Sequence, residues 1–191
     1  MKTVFVGCSM LEKEIKQVMQ EIGLENKMFF IDAALHVNLD RLEESLCGKL
    51  DEAIKIAKPI ILVGNKCHPS INQIAQRYDS QIVTRSNCIE LLLGDTMKEL
   101  DREAKIFYIT SGWLEKWREI FITGLGWDGI DARQNFGFYD KILLLDLGTP
   151  IDEETLLDFF EYTQIPIEPY PISLESLKKE LTRLLSISQN S

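Results

Sequence analysis

Short apolar runs that alternate with amphipathic helical patterns constrain this chain more than any other feature. The runs are rich in β-branched and aromatic residues, and between them apolar residues recur every three or four positions. The runs lie at residues 3–7, 27–31, 59–63, 80–84, 105–109 and 141–145. This alternation predicts an α/β fold with a mostly parallel sheet, Rossmann-like or flavodoxin-like, and helices on both faces.

The fold class also predicts the order of the first strands. Flavodoxin-like winding places the first strand beside the third and the third beside the fourth, with the second strand at the far edge next to the first. Ligands of such sheets bind beyond the carboxyl ends of the strands. The residues that directly follow each strand are therefore the candidates for function.

Length and charge bound the class of protein. The 191 residues predict a single α/β domain over residues 1–191, although an irregular segment at 124–138 leaves open two small Rossmann-like lobes dividing near 95–138. The net charge of −9 disfavours nucleic acid and anionic membrane as partners. No apolar run approaches the ~20 residues of a membrane span, and no signal peptide is evident. We expect a soluble, cytoplasmic protein.

Three cysteines and one histidine follow the first four predicted strands. Cys8 closes the first run, His36 lies just past the second, and Cys67 and Cys88 follow the third and fourth. Thiolates and imidazole suit zinc or an iron–sulfur cluster. The sequence therefore predicts a metal site, zinc first, at this edge of the sheet. The alternative is that tight strand ends simply favour small buried thiols.

Two further residues with metal-binding side chains lie outside that set. His68 is adjacent to Cys67 and is either a replacement ligand or a base that activates the thiol. Cys47 lies between helix residues that are predicted to face the core, so it is predicted to be a structural thiol.

Several polar residues share the same predicted edge. Asn65, Lys66 and Arg85 follow the third and fourth strands, and Ser111 and Trp113 open a helix after the fifth. Basic side chains and free N–H groups at a helix start predict binding of a substrate or an anion. Solvated loop side chains and an ordinary helix start are the alternatives.

One glycine pattern gives only weak support for a dinucleotide-binding site. The glycines at 124, 126 and 129 fit G-x-G-x-x-G, but that motif requires a strand immediately before it. Here an amphipathic helical pattern precedes it, which disfavours dinucleotide binding.

Several segments resemble DUF1638, a bacterial and archaeal family known as a domain of unknown function. They extend over roughly residues 1–120 and are VGCSMLEKEI, DAALHVNLDRLEESL, VGNKC, TRSNCIELLLGD and ITSGWLEKW. The chain departs from the family pattern at Val63, Thr84 and Asn87, where the pattern has tyrosine, proline and aspartate. The missing carboxylate at Asn87 weakens any acid–base or ligand-orienting role there.

The resemblance implies a link to corrinoid-dependent methyltransferases of methanogens and acetogens. It favours a zinc–thiolate site in methyl transfer or related one-carbon metabolism, with a small molecule or a corrinoid protein as partner. The alternatives are a non-enzymatic protein that binds a corrinoid or small cofactor, with Trp113 and Trp127 packing on the macrocycle, or an iron–sulfur protein.

Overall fold

A computed structural model describes residues 3–148 and 150–189. It confirms the α/β class, with strands that are parallel throughout two sheets. The strands are β1 (Thr3–Cys8), β2 (Met28–Ile31), β3 (Lys58–Leu62), β4 (Gln81–Ile82), β5 (Ile106–Thr110), β6 (Lys141–Asp146) and β7 (Ile167–Pro171). The α-helices are α1 (Glu12–Glu21), α2 (Leu39–Ala53), α3 (Ile71–Arg77), α4 (Cys88–Leu93), α5 (Thr96–Glu103), α6 (Ser111–Trp117), α7 (Gly129–Phe136), α8 (Glu153–Thr163) and α9 (Glu175–Gln189).

The described chain divides into two compact units. Unit 1 runs up to Leu92 and resumes at Leu174, and unit 2 spans Leu93–Ser173. The chain therefore leaves unit 1 through α4 and returns to it at the start of α9. Within the described residues, no helix is both long and apolar enough to cross a bilayer.

The sheet of unit 1 has the predicted flavodoxin-like order, β2-β1-β3-β4. Every residue of β1 is buried, and β3 is buried from Pro59 onward. Such continuous apolar strands are typical of a parallel sheet whose two faces are both covered. β2 and β4 form the edges and are mostly half-buried. The register pairs Cys8 with Ile31, so the end of β1 lies beside the end of β2.

Short 3-10 helices connect the strands of unit 1 to its helices. Ser9–Leu11 precedes α1, and Ala33–Val37 follows β2. Asn38 then caps α2, because its side-chain oxygen accepts a hydrogen bond from the Arg41 N–H at 3.1 Å.

Unit 2 has its own sheet, β5-β6-β7, so the strands do not form one continuous sheet. β7 pairs with β6 along its whole length although it contains Pro169 and Pro171. Proline lacks an N–H donor, which is tolerated at a sheet edge. Rings from several elements of unit 2 pack together in what we call the aromatic cluster: Phe107, Trp113, Phe121, Trp127, Phe136 and Phe159.

The segment at 124–138, which the sequence predicts to be irregular, contains a short helix. A π-helix over Arg118–Gly124 continues α6, and α7 follows it. Asp128 caps α7 by accepting hydrogen bonds from the N–H groups of Ile130 and Asp131. Asp131 in turn accepts from the Asp128 N–H at 3.1 Å, which completes a capping box. That Asp-x-x-Asp spacing is the local sequence signal for this helix.

Candidate functional site

The structure brings the three predicted cysteines to the carboxyl edge of neighbouring strands in unit 1. Cys8 is the last residue of β1, and Cys67 lies in the loop after β3. Cys88 is the first residue of α4, a short distance past β4. Because β1, β3 and β4 are adjacent in the sheet, these residues lie along one edge. We call Cys8, Cys67 and Cys88 the thiol cluster.

The sulfurs of the thiol cluster are close enough to affect one another's ionisation. Burial raises the pKa of Cys88 far above its usual range, and the charges of ionised Cys8 and Cys67 raise it further. Backbone N–H groups at the start of α4 oppose this with a smaller effect. Burial also raises the pKa of Cys67. Cys67 and Cys88 are therefore neutral thiols near pH 7 in the metal-free protein.

Backbone hydrogen bonds hold the two cysteine-bearing loops together beyond the end of β4. The Asn65 N–H donates to the Arg85 carbonyl at 2.9 Å, and the Lys66 N–H donates to the Ser86 carbonyl at 3.0 Å. The Asn65 side-chain amide also donates to the Thr84 carbonyl at 2.8 Å. Asn65 therefore has a structural role here, and its predicted role in ligand binding stays a prediction.

Gly64 is required for this close approach. A Cβ at position 64 would lie 2.4 Å from the Ser86 carbonyl oxygen and 2.4 Å from the Asn87 Cα. Both are backbone atoms that cannot turn aside. The loop of Cys67 thus contacts the loop of Cys88 through a position that only glycine fits.

Asn87 and Glu90 position the start of α4. The Asn87 side-chain oxygen accepts from the Glu90 N–H at 2.8 Å, as an N-cap does. The Glu90 carboxylate accepts from the Ser86 N–H at 2.8 Å and lies 3.6 Å from the Arg85 guanidinium. The Ser86 N–H lowers the pKa of Glu90. Asparagine and aspartate cap helices about equally well, so Asn87 retains a positioning role without the carboxylate.

His36 has the tautomer of a metal-ligating histidine. Its Nδ1 lies 2.9 Å from the Ala33 carbonyl oxygen, which can only accept, so Nδ1 carries the proton and Nε2 keeps its lone pair. Burial lowers the pKa of His36 and keeps the ring neutral. The Ala33 N–H donates to the Ser9 hydroxyl at 3.0 Å, which ties this segment to the residue after Cys8.

His68 does not serve the thiol of Cys67 in this arrangement. Its Nδ1 accepts from the Ser70 N–H at 3.1 Å, at the start of α3, and its Nε2 lies 3.6 Å from Glu43 on α2. Both ring nitrogens therefore have partners outside the thiol cluster. This position is structural, and it does not support the predicted roles of competing ligand and activating base.

The remaining predicted side chains point away from the joined loops or belong to other elements. The Lys66 side chain is exposed although its N–H joins the two loops, and Cys47 lies on α2 with its sulfur 3.8 Å from the Arg77 guanidinium. Ser111 and Trp113 open α6 of unit 2, where the Trp113 N–H donates to the Thr110 hydroxyl at 3.3 Å. The Trp113 ring packs against Phe107 and Phe121 of the aromatic cluster. Their predicted role in substrate or anion binding stays a prediction.

Two further features bear on ligand binding. The glycine pattern at 124–129 follows the π-helix rather than a strand, so it lacks the context of a dinucleotide motif. A surface cavity of about 680 Å³ lies between α1 and β2, lined in part by Lys16, Met19 and Phe30. The lining includes no predicted site residue.

The side chains as placed do not form a coordination sphere. Over residues 3–148 and 150–189, no group of three or more histidine, cysteine, aspartate or glutamate side chains is arranged to hold a metal ion.

Comparison with known proteins gives one match. A family model described as "Protein of unknown function (DUF1638)" matches residues 30–181. The match covers most of the chain and includes His36, Cys67 and Cys88. No curated protein and no solved structure matches the chain.

Proposed function

The chain belongs to the DUF1638 family, and we propose that its thiol cluster binds a metal ion, zinc first, for thiolate chemistry of the methyl-transfer class. Cys8, Cys67 and Cys88 would supply the sulfur ligands. His36 or a substrate would complete the coordination shell. The single observation that carries this proposal is the convergence of three cysteines at the ends of adjacent strands, two of them on loops joined by backbone hydrogen bonds. The effect of Cys8 and Cys67 on the pKa of Cys88 agrees with it.

The coupling supports a cation for a physical reason. Each thiolate disfavours ionisation of its neighbours, so the three sulfurs cannot all become anionic in a desolvated place by themselves. A divalent cation removes that repulsion, since a coordinating thiol is deprotonated outright. Three convergent thiols are thus unfavourable as free thiolates and well suited to a soft metal ion.

The donor set fits zinc chemically, with one adjustment of side chains. Three thiolates and one neutral imidazole with a free Nε2 match common zinc sites. Because no coordination sphere is formed as placed, the sulfurs must move inward on binding. Cysteine has one side-chain torsion, so a change of rotamer moves the sulfur without moving the backbone. The hydrogen-bonded loops at Gly64 and Asn87 would hold the backbone meanwhile.

Methyl transfer is the reaction class that the family resemblance favours. When bound, zinc supplies a Lewis acid that keeps thiols ionised near pH 7. The reacting thiolate would attack the methyl group of the donor and form a thioether, and the donor's leaving group would be displaced. The residues of the chain would orient the reacting thiol and exclude water at the sheet edge.

A corrinoid-binding cleft has less support. That alternative relies on Trp113 and Trp127 packing on a flat macrocycle. Both rings belong to the aromatic cluster, and Trp127 stacks on Phe121 with ring centroids 5.7 Å apart.

Metal analysis of anaerobically purified protein tests the proposal. We expect about one zinc ion per chain and no visible absorbance, because zinc is spectroscopically silent. Replacing Cys8, Cys67 or Cys88 with serine should remove most of the metal, and His36→Ala should remove less. Cys47→Ser is the matched control and should keep the full content.

Three outcomes would overturn the zinc proposal. The first is no metal in the protein as purified and none after incubation with zinc under reducing conditions. The second is loss of metal in Cys47→Ser but not in the other cysteine variants. The third is a coloured protein, which would indicate an iron–sulfur cluster or a corrinoid instead.

A further inference from the structure

The C-terminal helix supplies a buried carboxylate to the segment that ends at Cys88. Glu180 of α9 is 8% exposed. Its Oε1 accepts hydrogen bonds from the Thr84 N–H at 2.6 Å and from the Thr84 hydroxyl at 2.9 Å. These bonds join residues 96 positions apart, and both residues belong to unit 1. The contact ties α9 to the chain between β4 and α4.

That segment has little support from the sheet itself. β4 is two residues long, and the Val83 N–H makes the next bond to β3 by donating to the Ile61 carbonyl at 3.2 Å. Thr84 is then held at its carbonyl by the Asn65 side chain and at its N–H by Glu180. Cys88 follows four residues later, beyond Arg85 and Ser86, whose carbonyls accept hydrogen bonds from the loop of Cys67.

The charge of Glu180 is maintained by its partners. Burial by itself raises the pKa of Glu180, but hydrogen bonds from Arg183 and Thr84 outweigh it and hold the pKa below its usual value. Arg183 donates from Nε to Oε2 at 2.9 Å and from Nη2 to Oε1 at 2.8 Å. A forked guanidinium fixes the carboxylate plane, which makes Glu180 a well-oriented acceptor.

We infer that Glu180 is a positioning residue for the thiol cluster: by holding Thr84, it sets where Cys88 lies relative to Cys67 and Cys8. This inference deepens the proposed metal site and rests on it. It gives α9 a part in the geometry of the site in addition to its packing on unit 1.

Variants on one helix separate positioning from simple anchoring of α9. Glu180→Ala removes the acceptor of Thr84, and Glu180→Gln keeps an amide oxygen for the Thr84 N–H. Lys178→Ala is the matched control, because it removes a different contact of α9 with unit 1, the ion pair with Glu21 at 3.7 Å.

Two measurements on the full-length chain report the effect. The first is the rate at which iodoacetamide alkylates Cys88 in metal-free protein, with Cys47 of the same molecule as the internal reference. The second is the zinc affinity, measured by competition with a chelator. The first needs no bound metal, so it separates failure of this inference from failure of the proposed function.

We expect Glu180→Ala to raise the relative alkylation rate of Cys88 and to weaken zinc binding, each by about tenfold, as loss of a charge-assisted hydrogen bond implies. Glu180→Gln should recover most of both, and Lys178→Ala should change neither. If Glu180→Ala does not fold, Thr84→Val still removes one of the two hydrogen bonds. It should then raise the rate about threefold, since a single bond is worth less than the pair.

Unchanged rates in folded Glu180→Ala, or in Thr84→Val where that variant is used, would overturn the inference. So would equal effects from Lys178→Ala, which would show that any loosening of α9 suffices. If the wild-type chain binds no zinc, the proposed function fails, and the alkylation rates alone decide whether Glu180 positions Cys88.

Discussion

The two units build parallel sheets in the same way but use the residues after the strands differently. In unit 1, β1, β3 and β4 lead to cysteines, and backbone hydrogen bonds join the loops of Cys67 and Cys88. In unit 2, β5 passes directly into α6, and the neighbouring rings pack edge to face, as Phe107 and Phe136 do at 5.0 Å between centroids.

The comparison shows that packing explains the aromatic cluster of unit 2 but does not explain why three thiols converge in unit 1. Buried aromatic rings stabilise a fold by the area they remove from water and by their ring geometry. Ionised Cys8 and Cys67 raise the pKa of Cys88, so the three thiols resist joint ionisation. Stability accounts for the aromatic cluster, and the proposed metal site would account for the convergence of the thiols.

Removing a central ring should give the largest loss of stability. Phe136 is 2% exposed and contacts four rings of the aromatic cluster. Phe136→Ala should lower the free energy of unfolding by about 3–5 kcal/mol, measured by denaturant titration, because a large cavity remains. The nearby exposed Phe138→Ala should cost about 0.5 kcal/mol or less. Similar losses in both variants would contradict the assignment of a stabilising cluster.

Adding a side chain where the loops of Cys67 and Cys88 touch should have the next largest effect on stability. Gly64→Ala places a Cβ against backbone atoms of Ser86 and Asn87, so it should destabilise unit 1 by about 1–3 kcal/mol and reduce metal content. Gly48→Ala is the matched control, since Gly48 lies in α2 with nothing within 4 Å of the added Cβ. There alanine should stabilise by about 0.5–1 kcal/mol. Equal effects at the two glycines would show that the loops do not need close approach.

Alkaline pH should lower the free energy of unfolding of unit 1, because the Cys88 thiol ionises more readily in the unfolded chain. The pKa of Cys88 is higher in the folded chain, so the unfolded chain ionises first, near pH about 8.5. The contribution of the neutral Cys88 thiol to the free energy of unfolding is therefore complete below that pH, and it declines as the pH rises further. Unfolding of metal-free protein between about pH 8 and 9.5 should show this decline, because ordinary tyrosines titrate near pH 10.

Cys88→Ser is the control for this pH dependence. It removes the titrating thiol, so the decline should be shallower than in the wild type. Tyr78, whose pKa is raised to about 12 by burial and by its hydrogen bond with Asp51, adds a similar effect only at higher pH. An unchanged slope in Cys88→Ser would assign the decline to other groups.

The smallest effect should come from the cysteine outside the cluster. Cys47 is half-buried on α2, and its sulfur lies near Arg77. Cys47→Ala should lower the free energy of unfolding by about 1 kcal/mol and leave the metal content unchanged. Loss of metal in this variant would show that Cys47 is a ligand and that the thiol cluster does not contain all the metal-binding cysteines.

Local sequence patterns predict the strands of unit 1 and their order because the period of apolar residues reports which faces are buried. The parallel winding then brings Cys8, Cys67 and Cys88 to one edge, as the structure confirms. The Asp128 capping box shows a limit of this approach. Its Asp-x-x-Asp signal is short, and the surrounding glycines favour an irregular segment over a helix.

The sequence could have indicated that the Glu180 carboxylate is buried and hydrogen-bonded, from its position on the helix. It lies on the apolar stripe formed by Leu177, Leu181 and Leu184, where a carboxylate predicts a buried partner. The stripe does not say that the partner is Thr84, which is 96 residues earlier.

The α/β class, the parallel order β2-β1-β3-β4 and the edge at which the cysteines lie can be predicted from the amino-acid sequence, because they follow from local periodicity and the handed winding of parallel strands. Three features are visible in the folded chain and not in its sequence: β5 starts a second sheet, His68 faces Glu43, and Gly64 and Glu180 contact the segment before Cys88. A buried polar group takes its partner from whichever distant element packs beside it, and local periodicity carries no information about that choice.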